Sequence, residues 1–116
     1  MNVSFDIHDT TVIMELIENE TSRDFVQLLP RKLELEDYGS TEKISYLPSK
    51  LSIQGQPSGY KPIKGDIAYY APWGNLAIFC KDFSYSPGLI KLGHITQGFE
   101  TVCQPGKSVI ELKLNE

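Results

Sequence analysis

The sequence predicts a mainly β domain, folded as an antiparallel barrel or sandwich. About eight short segments carry strand patterns, and turn residues such as Gly, Pro, Asn and Asp separate them at regular intervals. Only one segment has clear helical character, and it is short. Many short strands of this kind are typical of antiparallel folds, and closing the sheet into a barrel would remove its exposed edges.

Alternating patterns mark both ends of the chain. Residues 3–7 place an apolar side chain at every second position, and residues 12–17 form a second β-rich run, so together they predict an N-terminal hairpin. Residues 110–114 alternate in the same way, which predicts a final strand that closes the sheet against an earlier one. A short turn of helix is expected at residues 98–103.

The clearest helix signal lies just before Pro30. Thr21 is the expected N-cap, and Asp24, three residues later, is the reciprocal partner of a capping box. Pro30 ends the helix after about two turns, and a helix this short does not persist without tertiary contacts. We therefore expect the apolar face of residues 25–29 to cover an open end of the sheet or barrel.

Four acidic residues in the first half of the chain resemble a carboxylate cluster: Glu34, Glu36, Asp37 and Glu42. A paired-carboxylate site is one interpretation of this cluster. However, residues 32–38 alternate strictly between apolar and polar side chains, and acids at a period of two mark the solvated face of a strand. The alternation favours a structural role for these acids.

Two further short strands are expected at residues 44–47 and 51–53. Pro48 separates them, and a proline at this place suits a bend or an edge strand. Residues 55–62, which contain two glycines and two prolines, are predicted to form a loop.

The second half of the chain contains the strongest hairpin signal. Apolar bursts at residues 67–70 and 76–79 flank residues 71–75, where Pro, Gly and Asn favour chain reversal. Residues 82–88 then read as a loop that carries two aromatic residues, and residues 89–95 resume a strand pattern.

Aromatic residues on these strands and turns form the candidate site. Tyr69 and Tyr70 are neighbours on a strand, so one side chain should face the interior and the other should face outward. Aromatic side chains on loops either pack as lids over the core or form a platform for a ligand. No catalytic residue is assigned, and the expected ligand-binding residues are Tyr46, Tyr70, Trp73, Asn75, Phe79, Phe83 and Tyr85.

Length and composition limit the functions that the chain can have. Its 116 residues are 41% hydrophobic and 22% charged, which predicts a single domain over residues 1–116. The formal net charge is −4 with only two arginines and no basic stripe, so we expect no nucleic-acid partner. No apolar run has the length of a membrane span, so no membrane association is expected. No metal-ligand spacing or phosphate-binding glycine loop is found, so we expect no metal and no cofactor.

Cysteine usage and the N-terminus bear on the cellular compartment. Cys80 lies in an apolar strand pattern and Cys103 beside a turn, which favours two reduced thiols over a disulfide or a metal pair. The first residues, MNVSFD, show neither the basic segment nor the apolar segment of a secretion signal. A cytoplasmic location is therefore expected.

Two stretches carry a resemblance to a known family. They are residues 65–72, GDIAYYAP, and residues 89–95, LIKLGHI. With them the chain resembles the small bacterial and archaeal cyclophilin-like proteins, a family of minimal cyclophilin barrels, over nearly its whole length. The resemblance implies an eight-stranded antiparallel β-barrel with one short helix that caps an open end.

The resemblance also bears on activity. Cyclophilins that isomerise prolyl bonds use a sheet arginine that hydrogen-bonds the peptide, an apolar pocket, and a nearby His and Trp. Here Arg23 and Arg31 fall in the helix and just after it, while Leu89 and Ser45 align with the positions of that histidine and that arginine. The resemblance therefore implies a barrel that binds a peptide or small ligand in an aromatic cleft without the usual isomerase chemistry.

Two other functions are alternatives. One is a weak peptidyl-prolyl cis-trans isomerase that uses the same cleft, with Asn75 or Gln54 as a substitute donor. The other is an unrelated enzyme in which His94 is the base and Asp66 or Asp82 orients it.

Overall fold

Eight antiparallel strands close into a barrel in the computed structural model, which describes residues 1–115. The elements in chain order are β1 (Asn2–Ile7), β2 (Thr10–Leu16), α1 (Glu20–Val26), β3 (Arg31–Tyr38), β4 (Glu42–Tyr46), β5 (Gly59–Tyr60), β6 (Asp66–Tyr70), β7 (Asn75–Phe79), β8 (Ser86–Pro87), β9 (Leu89–Gln97), α2 (Phe99–Val102) and β10 (Ser108–Asn115). The order around the barrel is β1-β10-β3-β4-β7-β6-β9-β2, and β5 pairs with β8 in a separate two-stranded sheet. The predicted all-β barrel with a capping helix is confirmed.

Alternate residues of each strand fill the barrel interior. In β1 the side chains of Val3, Phe5 and Ile7 are buried, as the alternation of the sequence predicts. Tyr69 of β6 is 1% exposed inside the barrel, where its hydroxyl accepts a hydrogen bond from the Leu51 N–H at 3.1 Å. The barrel core therefore contains one tyrosine hydroxyl, and a backbone N–H provides its hydrogen-bond partner.

Helix α1 covers one end of the barrel and buries Phe25 completely. Its N-cap is Asn19, which corrects the prediction of Thr21. The Asn19 side chain accepts from the Ser22 N–H at 2.7 Å, and the Ser22 hydroxyl accepts from the Asn19 N–H at 3.1 Å. The capping box therefore forms two residues earlier than predicted, because Thr21 is buried and bonds elsewhere.

Residues 51–53 do not form the strand that the sequence predicts. Side chains of α1 bind Ser52 instead: Thr21 donates to its carbonyl at 2.6 Å, Asp24 accepts from its N–H at 2.7 Å, and Glu20 accepts from its hydroxyl at 2.6 Å. Because side chains of α1 bind both the N–H and the carbonyl of Ser52, these groups need no hydrogen-bond partner on a neighbouring strand. It closes the barrel end together with α1.

Cys80 and Cys103 form a disulfide, so the prediction of two reduced thiols is wrong. Cys80 directly follows β7, and Cys103 is the C-cap of α2. The two residues are 23 positions apart, and the fold brings their Cα atoms to 5.8 Å, within the range that a disulfide spans. The strand pattern around Cys80 gave no indication that α2 returns to the end of β7.

Lys43 is a buried cation with an identified partner. Its side chain is 4% exposed, and its Nζ lies 2.6 Å from Asp37 Oδ1 and donates to the Gly106 carbonyl at 2.9 Å. The hydrogen bond from Lys43, together with one from the Gly106 N–H, lowers the pKa of Asp37. The charge of Lys43 is thus satisfied by these two groups.

The turns of the second half follow the predictions. Residues 71–74 join β6 to β7, and α2 forms within residues 98–103. The predicted loops at residues 55–62 and 82–88 each contain two residues that pair as β5 and β8. None of the helices in residues 1–115 is long and apolar enough to cross a membrane.

Candidate functional site

The outer face of the barrel carries a second apolar cluster beside β4, β7 and β6. In β7, Leu76 and Ile78 belong to the interior core, so Asn75, Ala77 and Phe79 point outward. Outward side chains of a barrel usually meet solvent, but here they are almost completely buried. The cluster consists of Ile44, Ala68, Ala77, Phe79 and Leu89, with Tyr60 and Tyr70 packed against it.

A cleft of about 320 Å³ opens beside this cluster, between the outer sheet face and the loop that follows β7. Six of the seven residues expected from the sequence line it: Tyr70, Trp73, Asn75, Phe79, Phe83 and Tyr85. Tyr46 is not among the lining residues, although it lies opposite Asn75 in the sheet, and its side chain is 54% exposed.

Other lining residues were missed by sequence reasoning. Tyr38 and Glu42 enter the cleft because cross-strand pairing places them in one row with Phe79. The alternating pattern predicts a solvated strand face for Glu42, whereas the structure places it partly buried in the cleft. No local signal identifies this row, because it depends on the pairing of β3, β4 and β7. The remaining lining residues are Ile44, Ser84, Ser86, Pro87 and Leu89.

Aromatic rings form most of the cleft wall. Trp73 contacts Tyr38 edge to face, with ring centroids 5.7 Å apart and ring planes at 75°. It contacts Tyr70 in the same manner at 5.5 Å and 77°. Phe79 and Phe83 stack at 6.4 Å and 28°. Trp73 remains 51% exposed, so these contacts do not remove it from solvent.

Glu42 is the charged residue of the cleft. Its neighbours across the strands are Tyr38 on β3 and Phe79 on β7, so aromatic residues flank it on both sides. Burial raises the pKa of the Glu42 carboxyl. Among the residues that the structure describes as lining the cleft, no other side chain carries a charge.

Asn75 contributes an unsatisfied acceptor. Asn75 is only 2% exposed, and its Nδ2 donates to the Leu76 carbonyl at 2.9 Å. That carbonyl establishes which end of the amide is nitrogen. Within residues 1–115, the Asn75 Oδ1 has no hydrogen-bond partner, which is uncommon for a buried polar atom.

Both arginines, Ser45 and Gln54 lie outside the cleft. Arg31 Nε is 3.5 Å from the Leu28 carbonyl and Arg23 lies on α1, and neither lines the cleft. Ser45 pairs with an interior residue of β7 and is buried inside the barrel, while Gln54 is exposed on the loop after β4. The structure therefore does not bring any of these four residues into the cleft.

Neither Asp66 nor Asp82, the two candidates, is hydrogen-bonded to His94 in residues 1–115. His94 is exposed and lies opposite Asp66 in the pairing of β9 with β6. The Asp66 carboxylate instead accepts from the Ile63 N–H at 3.1 Å and pairs with Lys91 at 3.5 Å. Asp82 accepts from a backbone N–H at 2.8 Å. In residues 1–115, no group of three or more His, Cys, Asp or Glu side chains could hold a metal ion.

The comparisons with known proteins agree with the barrel. The solution structure of the hypothetical protein AF2241 from Archaeoglobus fulgidus superimposes with a TM-score of 0.73, covering 97% of this chain and 93% of that chain. The two sequences are 16% identical, so this similarity concerns the fold. None of the curated proteins matches the chain. The model of the Cyclophilin-like family matches residues 5–113, and the chain therefore belongs to that family.

Proposed function

We propose that this protein binds a peptide or a small organic ligand in the aromatic cleft, without the chemistry of the prolyl isomerases. The observation that supports it best is the grouping of large, half-exposed aromatic side chains around one concave surface of about 320 Å³. Apolar patches of this kind are uncommon on folded proteins, and a concave one with a few polar groups is the usual form of a ligand site.

The polar groups of the cleft favour binding over amide isomerisation. Twisting a prolyl amide is accelerated by a preorganised donor or positive charge near the proline nitrogen. The cleft offers an acceptor instead, the Glu42 carboxylate, while the Asn75 Nδ2 is already bonded to the Leu76 carbonyl.

A weak prolyl isomerase is the second candidate. The observation that favours it is that Asn75 and the stacked pair of Phe79 and Phe83 line the same cleft. The two rings supply an apolar surface for a proline ring, and rotation of the Asn75 side chain would free its amide nitrogen for a substrate.

Binding is tested by titrating a panel of proline-containing tetrapeptides and small aromatic fragments into isotopically labelled protein and recording amide chemical shifts. We expect saturable shifts confined to the cleft strands and to residues 81–88. Phe83→Ala should weaken them. Tyr46→Ala removes an aromatic residue of similar exposure that does not line the cleft, so it should leave them unchanged. Shifts that scatter over the barrel, or that both variants leave intact, would contradict the proposal.

An isomerase assay on the same tetrapeptides distinguishes the second candidate, a weak prolyl isomerase, from binding without catalysis. A rate about tenfold above the uncatalysed rate, lost in Phe79→Ala, would establish catalysis, although it would remain far below what a preorganised electrostatic site supplies. A rate equal to the uncatalysed one, with binding retained, leaves binding as the function.

A further inference from the structure

We infer that the cleft recognises a positively charged nitrogen, as in an organic amine or a lysine side chain. This inference rests on the proposed function and specifies the ligand class. It is carried by three features of the cleft: an uncompensated carboxylate, an arrangement of aromatic rings around it, and a buried acceptor without a partner.

The charge of Glu42 has no counterpart in the cleft. None of the described lining residues is Lys, Arg or His. The lysines on adjoining segments have other partners: Lys43 Nζ is held by Asp37 at 2.6 Å, and Lys81 Nζ donates to the Ser40 hydroxyl at 3.0 Å. A partly buried carboxylate that lacks a partner is costly, and a ligand cation is the group that would satisfy it.

Three aromatic rings meet at one side of the cleft wall. Trp73 stands at 75° to Tyr38 and at 77° to Tyr70, so the three rings form a corner and do not stack. Ring faces carry partial negative charge, and several rings around one ammonium group are a known mode of cation recognition. Tyr38 is also the cross-strand neighbour of Glu42, which brings the carboxylate next to this corner.

The buried acceptor strengthens the same conclusion. Asn75 Oδ1 can only accept a hydrogen bond, and an ionised Glu42 can also only accept. A cationic ligand would satisfy the Glu42 carboxylate, and an N–H donor that displaces the groups covering the Asn75 side chain would satisfy Oδ1. An anionic ligand would instead place like charges together in a partly buried site, and no basic residue among those described as lining the cleft would offset the repulsion.

The test uses two pairs of probes that match in shape and differ in charge. The first pair is 4-amino-1-butanol, which is protonated at neutral pH, and its neutral carbon isostere 1-pentanol. The second is the Nα-acetyl methylamide of lysine and that of 2-aminoheptanoic acid, in which a methyl group replaces the ammonium group. Because Trp73 is the only tryptophan, its fluorescence reports binding directly, and amide chemical shifts locate the site. Ionic strength is held constant so that general charge screening does not differ between probes.

We expect a cationic probe to bind about tenfold more tightly than its neutral isostere, the size of one favourable cation–π contact with a nearby carboxylate. The pair that shows the preference identifies the source, a free amine or a lysine side chain. Glu42→Gln should abolish the preference. Glu15→Gln removes the same charge from an exposed position on β2, diametrically opposite β4 in the ring, and should preserve it.

Each remaining outcome overturns the inference. Equal affinity for charged and neutral probes would show that the cleft recognises the shape of the ligand and not its charge. The proposed function would then stand, and the inference would fail. A preference that survives Glu42→Gln would place the cation elsewhere. Absence of any response to all four probes would also contradict it, and the tetrapeptide and fragment titration would then decide the proposed function separately.

Discussion

At the level of individual residues, Glu42 combines a position in the candidate cleft with a cost to the fold. Burial raises the pKa of this carboxyl, which means that folding disfavours its ionised form. A carboxyl whose pKa is raised on folding contributes stability at acidic pH, and that contribution is lost as the pH rises through its folded pKa. The ionised form of Glu42 therefore lowers the stability of the fold at neutral pH, and the role proposed above for this charge is in binding.

This reasoning gives a prediction for Glu42→Gln. The variant should melt at a higher temperature than the parent at neutral pH, because the amide has no charge to desolvate. The gain should disappear as the pH falls through the range in which a glutamate carboxyl becomes protonated, because the parent then has no charge to desolvate either. Thermal unfolding followed by circular dichroism over this pH range measures the difference. Glu15→Gln, on an exposed site, should shift the melting temperature little, and a lower melting temperature for Glu42→Gln at neutral pH would show that the carboxylate is structural.

At the level of elements, α1 is stabilised mainly by the contacts that its side chains make with the rest of the chain. It has seven residues, too few to be stable alone, yet it joins three parts of the chain. Phe25 enters the core, Asn19 Nδ2 donates to the Lys91 carbonyl of β9 at 3.1 Å, and three side chains bind Ser52. The helix thereby holds the segment that closes the barrel end.

We expect Asn19→Ala to lower the free energy of unfolding by about 1 kcal/mol, because it removes the N-cap. Asn19→Ser retains a capping hydroxyl and should recover part of the loss. Urea denaturation measures both effects, and Glu18→Ala, at the exposed preceding position, serves as the control. An unchanged stability in Asn19→Ala would indicate that Thr21 is the effective cap, as the sequence pattern suggested.

At the level of the whole molecule, the disulfide links the end of β7 to α2 and so fastens the start of the loop that carries Phe83 and Tyr85. Disulfides persist mainly in oxidising compartments. The bond between Cys80 and Cys103 is typical of proteins from such compartments, and the cytoplasmic location expected from the sequence stays a prediction.

Replacing both cysteines by serine should reduce the free energy of unfolding by about 3 kcal/mol, the amount expected for a bond that closes a loop of this size. Denaturant titrations of the parent and the Cys80→Ser, Cys103→Ser variant measure this loss. Thiol titration of the unfolded, unreduced parent should find no free thiol. Two free thiols, or equal stability of parent and variant, would contradict the disulfide.

Local patterns were sufficient to predict the fold class. The alternation in residues 3–7 and 110–114, and the turn at residues 71–75, each depend on interactions between chain neighbours. Backbone preferences and the period of two act over a few residues, so they can be read along the chain. For the same reason most of the cleft aromatics, which lie on one hairpin and the loop after it, could be predicted as a group.

The remaining features depend on which strands are adjacent. Glu42 and Tyr38 lie beside Phe79 only through the pairing of three strands. Cys103 contacts Cys80 because α2 returns to the end of β7. Ser52 is bound by α1 and is not part of the sheet. An alternating strand carries the same pattern whichever neighbour and register it takes, so its sequence does not specify its partners. The placement of Glu42 in the cleft and the disulfide at the start of the cleft loop both arise from contacts between segments that are distant in sequence. Those contacts exist only once the barrel has closed.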